Sequence, residues 1–250
     1  MSIAGIASGS QVSGRCSIYI GPYIIYIGTY IYAEPFRQPA KTRFEGKSVV
    51  TAPTTATDFD RAYRSPISFW GDVRRPAEVR KLAYQMPFGR CLELGCGVGR
   101  LSRFMAQQGL EVTGVDFSPV AIATAKERVA KDDRQPEFLV GDVTDLDALS
   151  GPFDLSFDVG CFHCLGPVAR ASYVSAVSRL LRSGGTHLIW ALDASPSGTP
   201  LSPLVIEEIF ARNFKLRDAR TSRRRLARSH WYWLIRYLNE GSEIPPSANR

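Results

Sequence analysis

The sequence predicts an α/β fold built on a doubly wound, mainly parallel sheet, and three observations carry that expectation. Apolar, β-prone runs alternate with amphipathic helical segments from Asp58 onward at the spacing of βαβ units. A glycine-rich turn, Gly95-Cys96-Gly97-Val98-Gly99, directly follows the first of those runs. The chain has 250 residues, 44% hydrophobic and 22% charged, which excludes a fibrous or wholly disordered class and leaves one domain of ordinary size.

The elements follow in order. Residues 76–86 read as a helix with Pro76 in its first turn, and residues 91–94 as a short buried strand. A helix over 100–108 ends at Gly109, and a strand over 111–115 follows. Ser118-Pro119 is a helix cap with Pro at the first helical position, opening the segment 121–130. Strands are expected at 138–140 and 153–159, a helix at 169–181 closed by Ser183-Gly184-Gly185, and a strand at 187–192. After a helix at 204–211, the runs 214–221 and 230–238 flank a basic turn and read as an antiparallel hairpin on the sheet edge. Residues 239–250, with Pro245-Pro246, read as a flexible tail.

Residues 1–57 differ from the rest: five of the ten tyrosines fall between Tyr19 and Tyr32, and the stretch holds only seven charged residues. It is expected to be an atypical extension. One reading is a β-prone arm that pairs with a sheet edge or a second subunit; the other is a disordered or non-native leader, with Val49 or Val50 as the true beginning. Its run Ile18–Tyr32 is interrupted by Gly21, Pro22 and Gly28, too short and broken for a membrane span, and it lacks the plan of a signal peptide. The domain proper is therefore expected over 58–238.

Charge is distributed unevenly. The formal net charge is +7, but residues 212–236 hold nine basic side chains against Asp218, so that window is +8 and the remainder is −1. The whole chain is thus no polycationic nucleic-acid coat, and the Arg220 to Arg228 cluster reads as a solvated turn or as a patch for an anion. Five cysteines, an odd number without regular spacing, fit reduced thiols and a cytoplasmic location.

The chemistry concentrates at Leu92-Glu93-Leu94-Gly95-Cys96-Gly97-Val98-Gly99-Arg100. Glycines there let the backbone turn sharply and approach a ligand, and the free N–H groups of the helix start favour an anion. Arg100 stands where the dinucleotide fingerprint needs a third spaced glycine, and no Gly-Lys-Ser/Thr follows for a phosphate loop. Asp116 ends the second strand and can accept both hydroxyls of a ribose; Asp142 follows the third and can accept from an adenine amine.

Taken in order, Glu93-x-Gly95-x-Gly97-x-Gly99, Val115-Asp116-Phe117-Ser118-Pro119, Val140-Gly141-Asp142, Phe153-Asp154-Leu155 and Leu181-Arg182-Ser183-Gly184-Gly185 resemble the motifs of class I S-adenosylmethionine-dependent methyltransferases over about residues 58–238. The resemblance implies a Rossmann-like, seven-stranded sheet with a reversed final strand, and S-adenosyl-L-methionine as cofactor. It implies cofactor contacts from Glu93, Gly95, Cys96, Gly97 and Gly99 around the methionine part, Asp116 on the ribose, Phe117 against adenine, and Asp142 with Val143 near the adenine amine. Shorter matches, Phe69-Trp70 with Arg75-Pro76 and the run from Phe153 to His163, resemble the thiopurine and thiol methyltransferase-like branch.

An activated sulfonium methyl needs alignment and water exclusion more than acid-base machinery. His163 is the candidate base for an oxygen or nitrogen acceptor, since it follows the fourth strand and imidazole titrates near neutrality. Asp158, near the carboxyl end of that strand, is the second catalytic candidate. Tyr63 and Trp70, as a lid, and Phe162 are the substrate candidates. Cys161, His163 and Cys164 crowd one turn without a second ligand pair, so no metal is expected. The expected acceptor is a small molecule, with a nucleic-acid methyltransferase or a non-catalytic binding module as alternatives; no membrane partner is expected, and either a monomer or a homodimer is compatible.

Overall fold

A computed structural model describes residues 12–20, 23–32, 50–51, 56–64, 75–193, 200–224 and 227–237. The chain divides into two units, Met1–Ala52 and Pro53–Arg250. The first holds a three-stranded sheet of β1 (Val12–Ile20), β2 (Tyr23–Tyr32) and β3 (Val50–Thr51), with β1 antiparallel and β3 parallel to β2.

The second unit begins with α1 (Ala56–Arg64) and α2 (Ala77–Gln85), then β4 (Arg90–Leu94), α3 (Arg100–Gln107), β5 (Glu111–Asp116), α4 (Pro119–Val129) and β6 (Glu137–Val140). There follow β7 (Phe153–Val159), a short 3-10 turn (Phe162–Cys164), α5 (Pro167–Leu180), β8 (Leu181–Leu192), α6 (Pro203–Phe210), β9 (Phe214–Arg224) and β10 (Ala227–Arg236). The strands form one seven-stranded sheet in the order β6-β5-β4-β7-β8-β10-β9. Neighbours from β6 to β8 run parallel, and β10 is antiparallel to both β8 and β9. The expected fold class, including the reversed C-terminal hairpin, is what the chain adopts.

Both faces of the sheet are covered, as parallel strands require. Leu92, Leu94, Ile189, Tyr232 and Leu234 face α5 and α6, packing with Tyr173, Val177, Ile206 and Phe210. Cys91, Val112, Leu155, Phe157, Leu188, Trp231 and Trp233 face the other way, against Val79, Leu82, Phe104 and Met105 of α2 and α3. Chain order reverses between β4 and β7, and the crevice outside the carboxyl ends of strands at such a switch point is where α/β folds bind ligands.

The structure departs from the local sequence pattern in three places. The segment 183–185 does not close a helix: α5 stops at Leu180, and Ser183-Gly184-Gly185 lie inside β8. While β7 advances from Phe153 to Leu155, β8 advances from Leu181 to Thr186, so these residues form a bulge. Asp154 anchors it, accepting from Arg182 Nε at 2.7 Å and from the Arg90 N–H at 2.9 Å. Second, α1 forms where the sequence pattern announces no element. Third, both strands of the basic hairpin reach nearer the turn than the apolar pattern suggests, since cross-strand pairing runs out to Arg224 and Ala227.

Candidate functional site

At the carboxyl ends of β4, β5 and β7 lies a cavity of about 300 Å³. Its floor is the turn between β4 and α3. Gly95, Gly97 and Gly99 all adopt positive φ, of 68°, 52° and 73°. At Gly97 a side chain is disfavoured twice: by the left-handed backbone, and by a Cβ that would stand 2.8 Å from the Tyr63 hydroxyl oxygen. Gly99 serves packing instead, because a Cβ there would collide with the Phe138 ring, and it does not line the cavity.

Asp116, at the tip of β5, is buried and lines the cavity. Its Oδ2 accepts from the Gly97 N–H at 2.8 Å and its Oδ1 from the Ser118 N–H at 3.0 Å. The carboxylate therefore ties the glycine turn to the β5–α4 loop, and each oxygen keeps a second lone pair for a ligand hydroxyl. Ser118 caps α4, accepting from the Ala121 N–H at 3.1 Å with Pro119 following. Burial pushes the Asp116 carboxyl above its ordinary range, opposed by those two N–H donors.

Glu93 is the second acidic group in the wall. It is buried, accepts from the Ser102 hydroxyl of α3, and burial raises its carboxyl to about 8 despite that bond. A carboxyl held this far up, facing a cavity, is a place for a cationic ligand group, which would favour its ionised form.

The roof is α1. Phe59 meets Phe117 edge-on at 5.1 Å between ring centroids, Asp60 accepts from the Ser118 hydroxyl, and Tyr63 reaches the glycine turn. Burial and the nearby Asp116 drive the Tyr63 phenol well above its usual range. Beyond Phe117 the wall continues with Gly141, Asp142, Val143 and Thr144. Asp142 Oδ1 accepts from the Thr144 N–H at 2.8 Å and its hydroxyl at 2.7 Å, shaping this loop. The remaining side is Val159, Gly160, Cys161, Cys164, Leu165 and Ala169.

Of the residues singled out in the sequence, Tyr63, Glu93, Gly95, Cys96, Gly97, Asp116, Phe117, Asp142 and Val143 are brought together around the cavity. Asp158, Phe162 and His163 are not part of its lining. Asp158 is fully buried; its Oδ1 accepts from the Cys161 N–H at 2.7 Å, and its Oδ2 from the Phe162 N–H at 2.6 Å and the Tyr173 hydroxyl at 3.2 Å. Burial raises it to about 7. Phe162 packs into the core against Tyr173 and Phe210. His163 is 1% exposed, its ring edge-on to Trp190 at 5.9 Å. Asp158 near the end of β7, and Phe162 and His163 just after it, are brought close to the site, but Asp158 is taken up by the backbone of the following turn, and Phe162 and His163 point inward from the 3-10 turn. Trp70 and Phe69 lie outside the described residues.

Phe59 and Leu165 join the cavity wall without a clear mark in the sequence, as do Cys161 and Cys164, considered there only for a metal, and Asp60 supports the wall through Ser118. The spacing Phe59 to Tyr63, four apart on a helix, is the signal that puts both rings on one face.

A family model described as "Methyltransferase domain" matches residues 91–185. A ubiquinone biosynthesis O-methyltransferase from Xanthomonas campestris pv. campestris (strain B100) is 32% identical over 148 residues, 58% of this chain and 60% of that protein, so the chain spans less than two thirds of that relative's length. An uncharacterised methyltransferase from Schizosaccharomyces pombe is 30% identical over 100 residues, 40% of this chain and 69% of that protein. Among solved structures, the N-methyltransferase NodS from Bradyrhizobium japonicum WM9, in complex with S-adenosyl-L-homocysteine, is similar with a TM-score of 0.64 and 17% identity over 74% of this chain and 99% of that one. At that identity the likeness is one of fold.

Proposed function

The chain belongs to the class I S-adenosylmethionine-dependent methyltransferases, and on that premise we propose that it transfers the methyl group of S-adenosylmethionine to a small-molecule nucleophile. The observation that carries the reading is the Asp116 carboxylate, buried in the cavity wall and bonded to the N–H of Gly97, a position where a side chain would be strained. When bound, S-adenosylmethionine supplies an electrophilic sulfonium methyl. In this reading Asp116 accepts the ribose hydroxyls, Glu93 faces the cationic methionine part, and Phe117 with Val143 packs on adenine beside Asp142. Phe59 and Tyr63 of α1 close the cavity and keep water from the reacting atoms.

His163 and Asp158 then act on the shape of the acceptor wall. Asp158 holds the N–H groups of Cys161 and Phe162, and His163 braces Trp190. Among the described lining residues the titratable groups besides the acidic set and Arg100 are Tyr63, Cys96, Cys161 and Cys164, whose protons are held tightly by burial. Such a wall suits an acceptor that loses its proton to water, a thiol or an acidic phenol, more than an alcohol that needs a strong base. The likeness to a ubiquinone biosynthesis O-methyltransferase supports an oxygen acceptor within that set.

The test is transfer of radiolabelled methyl from S-adenosylmethionine to a panel of thiols, phenols, amines and RNA. Label on a small acid-ionising acceptor, with matching S-adenosylhomocysteine, is expected. Label only on RNA, or donor binding without transfer to anything, would overturn the proposal.

A further inference from the structure

The segment Cys161-Phe162-His163-Cys164 is folded so that its side chains part in two directions. Its i to i+3 hydrogen bond runs from the Cys164 N–H to the Cys161 carbonyl at 2.9 Å, and side chains three apart in 3-10 geometry eclipse each other. Phe162 and His163 turn inward, to the core and to Trp190. Both cysteines are left in the wall of one cavity. Cys161 Sγ would stand 3.0 Å from a Cβ on Gly95 and so borders the glycine turn, while Cys164 Sγ lies 3.7 Å from the Gly160 carbonyl oxygen, just past β7.

Burial pushes the Cys164 thiol up to about 12 and the Cys161 thiol well above its ordinary value. Both carry their protons at neutral pH, which disfavours a dication that must be met by thiolates. Among the described residues no third side chain joins them in a metal-binding group either. A trivalent arsenical has neither requirement, since it condenses with two neutral thiols.

We propose that Cys161 and Cys164 form a dithiol site on the cavity wall that captures trivalent arsenicals. With an organoarsenous oxide, two S–H bonds and the arsenic–oxygen bond break, two S–As bonds form, and both protons leave with the oxygen as one water. Arsenic stays trivalent, so no oxidant or reductant enters. The capture uses no methyl donor and goes beyond methyl transfer.

Phenylarsine oxide added to the full chain tests this. Peptide mapping is expected to find one phenylarsenic bridging Cys161 and Cys164, absent in Cys164→Ser, removed by 2,3-dimercaptopropanol and retained in excess 2-mercaptoethanol. Saturating S-adenosylhomocysteine, its binding verified by calorimetry, is expected to slow capture at least tenfold, because the thiols and that ligand share the cavity. An adduct on Cys16, Cys91 or Cys96, an adduct that survives in Cys164→Ser, release by monothiol, no adduct, or capture unaffected by bound S-adenosylhomocysteine would overturn the site. If Cys164→Ser fails to fold, the wild-type map and the dithiol reversal still decide. If S-adenosylhomocysteine does not bind at all, the donor reading falls, while the map without ligand still decides the thiols.

Discussion

Binding of S-adenosylhomocysteine to this chain should release a proton from Glu93, and the amount follows from how that carboxyl is buried. With its carboxyl raised to about 8, Glu93 is protonated in about 0.9 of the free molecules at pH 7. The ammonium group of the ligand's methionine part, seated in the same cavity, favours the ionised carboxylate and returns the group towards its ordinary value. Up to about 0.9 of a proton then leaves per ligand bound at pH 7, and affinity rises about tenfold from pH 6 to pH 7. Calorimetry in buffers of different ionisation enthalpy reads the proton count directly, and Glu93→Gln should abolish both it and the pH slope. An observed enthalpy independent of buffer in the wild type, with binding intact, would refute the placement of Glu93 against a cationic group.

Glu93 also makes a stability prediction. Its folded value lies above its unfolded one, so its contribution is fully present below about pH 4.5 and is lost as pH rises through about 8. Thermal unfolding should therefore show Glu93→Gln gaining on the wild type by several kcal/mol between pH 5 and pH 9, at roughly 1.4 kcal/mol for each pH unit separating the folded and unfolded values; a constant difference would count against the burial argument. Asp116→Ala should weaken S-adenosylhomocysteine binding at least tenfold, about 1.4 kcal/mol, by calorimetry. Gly97→Ala combines a φ of 52° with contact to Tyr63, so it should cost about 1–2 kcal/mol of binding or stability, and Tyr63→Phe in the same chain should restore part of it. His163→Ala should lower the melting temperature while leaving S-adenosylhomocysteine affinity within about twofold, since the ring packs on Trp190 outside the cavity lining.

How much of this is legible in the residues depends on whether the signal is local. The helix cap at Ser118-Pro119, the strand at 153–159 and the turn at 95–99 each rest on residues adjacent in sequence, and each appears where expected. The grouping of Glu93, Asp116, Asp142 and the glycines follows from strand ends meeting at a switch point, which element order alone supplies. The bulge at Ser183-Gly184-Gly185 depends on Asp154 gripping Arg90 and Arg182 across the sheet, and no local pattern announces it. His163 and Asp158 depart from expectation for a similar reason. Standing at or just past the end of a strand puts a residue near the crevice, but the Asp158 carboxylate binds the backbone of the following turn, from which Phe162 and His163 point inward. The same turn leaves Cys161 and Cys164, which in sequence are mere neighbours of His163, in the cavity wall.

Equilibrium dialysis of radiolabelled S-adenosylmethionine against folded wild-type protein and Asp116→Ala, side by side, tests the central claim most directly. One equivalent per wild-type chain, lost or much weakened in the variant, is the predicted result. No uptake by folded wild-type protein, or equal uptake by both, would contradict it.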